Sequence, residues 1–239
     1  MHRFHNTAFA AVALAAAALA VAACGRDNVD LVQGKTLFVN RCGACHALAR
    51  ANTKGTQGPD LDDAFASARR DGMSAKTVEG VVKHQIGYPR AGSIMPADLV
   101  EGEKATDVAA YVGQAAGIPG KDTGELASAG QPKTSGKPAV AQNGKVTIPA
   151  VDGTAFQFTK ATAKPGKVTF DMPNKSPLPH NIALKGTSGA AGKVVPQGQT
   201  STFTATVKAG TYTYFCEVPG HEAAGMKGTL TIKSQRDSP

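Results

Sequence analysis

The stretch Cys42-Gly43-Ala44-Cys45-His46 has the pattern C-x-x-C-H. Two thiols at this spacing can each add across a vinyl group of one haem, and the adjoining imidazole then lies under the iron. The motif therefore points to a covalent c-type haem on Cys42 and Cys45, with His46 as one axial ligand. A thioredoxin-like redox pair would want a βαβ context, and a zinc site would want further Cys or His close by. Here residues 31–50 read as a helix running into the cluster, and His84 is the one later His in the first half of the chain. A low-spin haem needs a second axial ligand. Met95, in Ser93-Ile94-Met95-Pro96, sits in a Gly/Pro-rich loop downstream, where a thioether would complete His/Met ligation and raise the reduction potential. Met73, in a polar turn, and His84, at helical spacing, are its competitors.

Working outward, Val78, Val81, Val82 and Ile86 recur at spacings of three and four, as do Val108, Tyr111 and Val112. That periodicity predicts helices over 74–86 and 104–116. Residues 119–142 are rich in Gly, Pro, Ser, Thr, Lys and Ala without apolar periodicity, and read as a flexible linker. From Gly144 onward, short runs of Val, Thr, Phe, Ile and Tyr alternate with turn residues. Strands are expected over 145–150, 154–159, 166–172, 180–185, 200–207, 210–216 and 227–233, which suggests a β-sandwich or barrel.

The second half holds its own constellation. Cys216, His221 and Met226 lie within Tyr214–Met226, and His180 begins an earlier strand at Pro179-His180-Asn181-Ile182. Two imidazoles, one thiolate and one thioether form the donor set of a mononuclear type 1 copper site, trigonal with a long axial Met. Zinc has little use for the Met. Taken singly, Cys216 would be a core Cys and His221 a surface His; taken together they point to copper.

Residues 31–118 resemble a small class I cytochrome c. Gly34, Lys35 and Phe38 match its N-terminal helix, and Gly58-Pro59-Asp60-Leu61 matches the loop whose Pro carbonyl accepts the proximal His N–H. Met95-Pro96 matches the distal ligand, and Tyr111 the aromatic that the C-terminal helix presses on the N-terminal one. Residues 143–234 resemble the cupredoxins, the plastocyanin, azurin and rusticyanin group, which implies a Greek-key sandwich. There Asn181 would tie the His180 strand to the Cys216 loop. Four residues separate Cys216 from His221, a gap closer to rusticyanin than to plastocyanin. The resemblance to the dinuclear copper subunit of cytochrome oxidase fails, because that site's second Cys would fall at Gly220. The expected fold is an all-α cytochrome c domain followed by an all-β cupredoxin domain.

Residues 1–23 are read as a signal peptide: a weakly basic start, then an uncharged Ala/Val/Leu run too short for a comfortable membrane span. Val21-Ala22-Ala23-Cys24 resembles the bacterial lipoprotein box, which implies lipidation of Cys24 and a tether over 24–30. With Cys24, Cys42, Cys45 and Cys216 all assigned, no disulfide is expected. The formal net charge of +8 is uneven: residues 25–118 carry 11 Lys/Arg against 11 Asp/Glu, and residues 119–239 carry 14 against 7. The lysines are scattered and no nucleic-acid motif accompanies them, so nucleic acid is not an expected partner. Residues 235–239 form a short tail.

Both metals would be coordinatively full, by His46/Met95 and by His180/Cys216/His221/Met226. Saturated one-electron centres suit outer-sphere electron transfer rather than bond-making catalysis. The expectation is thus an electron carrier, exported and lipid-anchored to a bacterial membrane, facing the periplasm or exterior. Its partners would be membrane-bound or soluble redox proteins, such as a quinol-oxidising complex and a terminal oxidase or reductase. A copper nitrite reductase or haem peroxidase is the enzymatic alternative, and a copper sensor or storage protein a third. A coil over 119–142 would span roughly 25–30 Å and let the copper domain swing as a tethered shuttle.

Overall fold

The computed structural model describes residues 29–233. Helices occupy the first half and strands the second. Helix α1 (Leu31–Leu37) passes directly into a π-helical turn, Phe38–Cys42. The helix expected over 31–50 stops there. Ala47–Leu48 (β1) and Thr53–Lys54 (β2) instead form a small antiparallel hairpin. Helix α2 (Leu61–Arg70) lies outside the predicted helices, although Leu61, Ala64, Phe65 and Ala68 recur at helical spacing, and it carries its own start signal. The Asp60 side chain accepts from the Asp62 N–H at 2.8 Å, with Asp62 and Asp63 in the first turn and Arg69 and Arg70 in the last. Those charges complement the helix dipole. Helix α3 (Ala75–Gly87) is capped by Ser74, and α4 (Gly102–Ala115) is buried over most of its surface.

The N- and C-terminal helices of this half cross at close range. A Cβ at Gly34 would collide with the Asp107 carbonyl, so only glycine permits the approach. Beside that crossing Phe38 and Tyr111 pack with ring centroids 6.3 Å apart.

Residues 119–142 differ from the flexible linker their composition suggests. Asp122, whose side chain is 1% exposed, pairs with Lys35 at 3.0 Å and with Arg50 at 2.7 Å, and accepts from the Tyr111 hydroxyl at 2.8 Å. Lys35, itself 2% exposed, also donates to the Leu126 carbonyl of the short helix α5 (Glu125–Ser128). Farther on, Ser135 donates to the Gln157 carbonyl at 2.6 Å, and Ala139–Val140 (β3) joins a sheet. Gly/Pro-rich composition removes local structure, but charge-assisted bonds and strand pairing from elsewhere in the chain order the segment anyway.

The second half is a β-sandwich. One sheet has the order β10 (Thr200–Val207), β8 (Gly166–Pro173), β4 (Lys145–Thr147). The other runs β3, β7 (Lys160–Ala163), β12 (Lys227–Ile232), β11 (Gly210–Phe215), β9 (Ala183–Leu184). A small hairpin of β5 (Ala150–Val151) and β6 (Ala155–Phe156) lies outside both. The non-consecutive neighbours are crossovers of the Greek-key kind. Burial alternates residue by residue along β10, placing Ser201, Phe203, Ala205 and Val207 inward. Phe203 stacks on Phe170 of β8 at 4.7 Å. The predicted strands 154–159 and 180–185 contract to β6 and β9, and β7 forms over Lys-Ala-Thr-Ala, where no strand was expected and the residues carry little strand signal.

Candidate metal centres

In the helical half, the end of the π-turn delivers Cys42, and the chain then turns so that Cys45 and His46 face the same cavity. That cavity, about 500 Å³, is lined by apolar side chains including Phe38, Phe65, Ile86, Leu99 and Val108. Cys42, Cys45, His46 and Met95 all open onto it; Met73 and His84 are not in its lining. His46 Nδ1 lies 2.9 Å from the Pro59 carbonyl oxygen. That contact sets Nδ1 as the N–H and leaves the other ring nitrogen free to bind a metal. Gly58 lies flat against the imidazole; a Cβ there would sit 2.5 Å from His46 Cε1. The Met95 sulfur receives the Gln85 amide at 3.8 Å. A large apolar slot with two thiols and an imidazole at its wall and a thioether in the lining fits a covalent haem.

In the sandwich, His180, Cys216 and His221 bring their donor atoms within 4.8 Å of one another, and all three are buried. His180 Nδ1 and His221 Nδ1 are 3.0 Å apart, and the Cys216 sulfur is 3.8 and 3.5 Å from them. The strand β11 supplies Cys216 at its end. The loop beyond folds back through three backbone bonds: His221 N–H to the Val218 carbonyl, Met226 N–H to the His221 carbonyl, and Cys216 N–H to the Met226 carbonyl. These bring the fully buried Met226 back beside Cys216. Asn181 spans the gap to the His180 segment: its carbonyl oxygen accepts from the Glu217 N–H at 2.8 Å, and its amide donates to the Gly192 carbonyl at 3.0 Å.

Burial, and for His180 the neighbouring His221, pushes the imidazoles down, to about 3 for His180 and about 4 for His221. Both are neutral near pH 7, with lone pairs available. Burial pushes the Cys216 thiol up, opposed by backbone hydrogen bonds from Asn181 and Val218. Soft thiolate, two neutral imidazoles and a buried thioether fit type 1 copper.

Apart from α2 and the anchored linker, the residue that sequence reasoning missed is Asp122, one of two acids, with Glu125, in a Gly-rich segment. Cys24 lies outside the described residues. Among the described residues no helix is long and apolar enough to cross a membrane.

Residues 31–116 match the cytochrome c family, and residues 143–233 match the copper binding proteins of the plastocyanin/azurin family. Plastocyanin of Nostoc punctiforme is 33% identical over 93 residues, 33% of this chain and 65% of that protein, so the match spans just under two thirds of its length. Plastocyanin of Dryopteris crassirhizoma is 32% identical over 88 residues, 37% of this chain and 82% of that protein. Among solved structures, reduced auracyanin of Roseiflexus castenholzii covers 39% of this chain and 99% of its own, at 26% identity and a TM-score of 0.35. One covalent haem c and one type 1 copper are a cofactor pair that fits an electron-transfer protein. The chain belongs to the plastocyanin/azurin copper proteins through its second half, and its first half is a helical domain that matches the cytochrome c family.

Proposed function

We propose that this chain is a single-electron carrier, and not an enzyme, that relays electrons between respiratory-chain partners while tethered to a membrane through lipidated Cys24. One observation carries the carrier assignment: each site gathers a full set of protein donors, an imidazole and a thioether at one cavity and two imidazoles, a thiolate and a buried thioether in the sandwich. His46 and Met95 line one cavity and would supply the imidazole and thioether ligands of a haem held there. His180, Cys216, His221 and Met226 complete the copper set. When bound, the two groups supply reversible one-electron chemistry. The chain's part is to hold the ligands where both oxidation states fit: Pro59 fixes the His46 ring, and Asn181 fixes the Cys216 loop to His180.

The membrane tether rests on the Val21–Cys24 box, and the partners are redox proteins of the exported compartment: a quinol-oxidising complex as donor, a terminal oxidase or reductase as acceptor. The test is a spectroscopic redox titration of both chromophores in one sample. A carrier shows a sharp reduced c-type band and an intense blue thiolate band, each titrating with one electron. Turnover of nitrite or peroxide by the purified protein, or a five-coordinate haem, would replace the carrier assignment with an enzymatic one.

A further inference from the structure

The copper-ligand loop meets the haem-attachment segment of the same chain. Gly220, at φ +84°, precedes His221, and a Cβ placed on it would lie 3.0 Å from Gln57 Cγ and 3.2 Å from the Ala44 carbonyl oxygen. Ala44 is covalently next to Cys45, and Gln57 lines the haem cavity. Ala44 is 4% exposed and His221 5%, so neither faces open solvent. A second loop makes its own contact: a Cβ on Gly153 would lie 3.4 Å from Asn40 Oδ1 and 3.6 Å from the Val39 carbonyl oxygen. The chain between the halves leaves little room for separation. The segment up to Gly130 is held to the first half through Asp122, Leu126 and a close approach of Gly130 to Val39, while Ser135 already pairs with the second. The short stretch Gln131–Thr134 is all that lies between.

We propose that these contacts form a fixed intramolecular docking surface, and that the Gly220–Ala44 contact is the path by which an electron passes between the haem and copper sites. The proposal rests on the electron-carrier assignment and replaces the tethered shuttle expected from composition. The step is a one-electron exchange. Ferrous haem is oxidised to ferric while cupric copper is reduced to cuprous, or the reverse, as the two potentials dictate. No bond breaks, and no proton or atom moves. On the copper side the covalent link runs from His221 to Gly220, and on the haem side from Ala44 to Cys45, so a single van der Waals step separates the two liganding segments. A corollary is that the His221 edge is already covered by the chain's own cytochrome half and is closed to an outside partner.

The test uses the full chain with haem and copper loaded. Gly220→Asn keeps a residue tolerant of positive φ but inserts a side chain at the contact; Ala44→Arg wedges the contact from the opposite side. Two readouts are taken. Amide hydrogen exchange at Gly220, His221 and Glu222 is measured with zinc in place of copper, so that it reports docking without electron flow. The haem–copper exchange rate is measured after flash reduction. In the wild-type protein the rate is expected to be independent of protein concentration and of solvent viscosity. Either variant should speed exchange at those amides and slow electron transfer by about tenfold or more, since small misplacements of a pre-oriented pair have effects of this size. Both bands should remain. If Gly220→Asn and Ala44→Arg leave exchange and rate unchanged, or the wild-type rate falls with viscosity, the fixed path is wrong. Absence of one-electron titration at either band would instead overturn the carrier assignment itself.

Discussion

Replacing Asp122 tests whether a buried ion cluster anchors the segment between the two halves to the first half, in place of a flexible coil. The Asp122 and Lys35 side chains are 1% and 2% exposed and 3.0 Å apart, while the Arg50 side chain, at 2.7 Å, is 20% exposed and can recover water. In Asp122→Ala the penalty therefore falls on Lys35, left as a buried ammonium with the Leu126 carbonyl as its remaining partner among these contacts. Removing one partner of a buried pair costs about 3–5 kcal/mol. The bond to Leu126 places this case near the lower end, about 3 kcal/mol. Asp122→Asn keeps the shape but loses charge-assisted bonds worth about 1.5–3 kcal/mol each, and should fall between alanine and wild type. Urea unfolding of the haem-loaded protein, followed at the Soret band, measures both. Acid supplies a second arm. Burial opposes ionisation of Asp122, but hydrogen bonds from Lys35, Tyr111 and Arg50 outweigh it and hold the carboxyl below its ordinary 3.8. A depressed folded pKa means the stabilisation is complete above 3.8 and is lost as pH falls through the lower folded value. Wild type should therefore lose stability in that window and Asp122→Asn should lose less. A cost below about 1 kcal/mol for Asp122→Ala would refute the idea that the cluster anchors the segment.

Met95→Ala should open the haem to carbon monoxide without releasing it, because the thioethers remain; an unchanged six-coordinate spectrum would move the distal ligand elsewhere. Cys216→Ser should abolish the blue band while the haem spectrum persists, and joint loss of both chromophores would contradict separate cores. In the parent protein, copper binding near pH 7 should release about one proton, from the Cys216 thiol and not from the imidazoles, so affinity rises with pH. Calorimetry in two buffers of different ionisation heat reads that proton directly. Cys24→Ser should shift the protein from the membrane fraction to the soluble one, and continued membrane binding of the cleaved protein would remove the lipid tether.

The two metal sites were legible in sequence because their ligands are constrained by covalent spacing. Cys42, Cys45 and His46 must match the fixed separation of two vinyl groups, and Cys216, His221 and Met226 sit on one loop whose backbone bonds close it locally. Period-two burial in 200–207 likewise follows from the pleat, so β10 appears where alternation predicts it. Helix α2 carries both an apolar stripe, Leu61, Ala64, Phe65 and Ala68, and an Asp60 cap; it lies outside the predicted helices because the stripe is short and half of it is alanine. Composition could not disclose the fate of residues 119–142. Gly and Pro describe what a segment does when nothing else holds it, and Asp122 is held by Lys35, Arg50 and Tyr111, 87, 72 and 11 residues away in sequence. The meeting of Gly220 with Ala44 belongs to tertiary structure for the same reason. Neither residue carries a functional group to announce it, and only the packing of one half on the other brings the two backbones together.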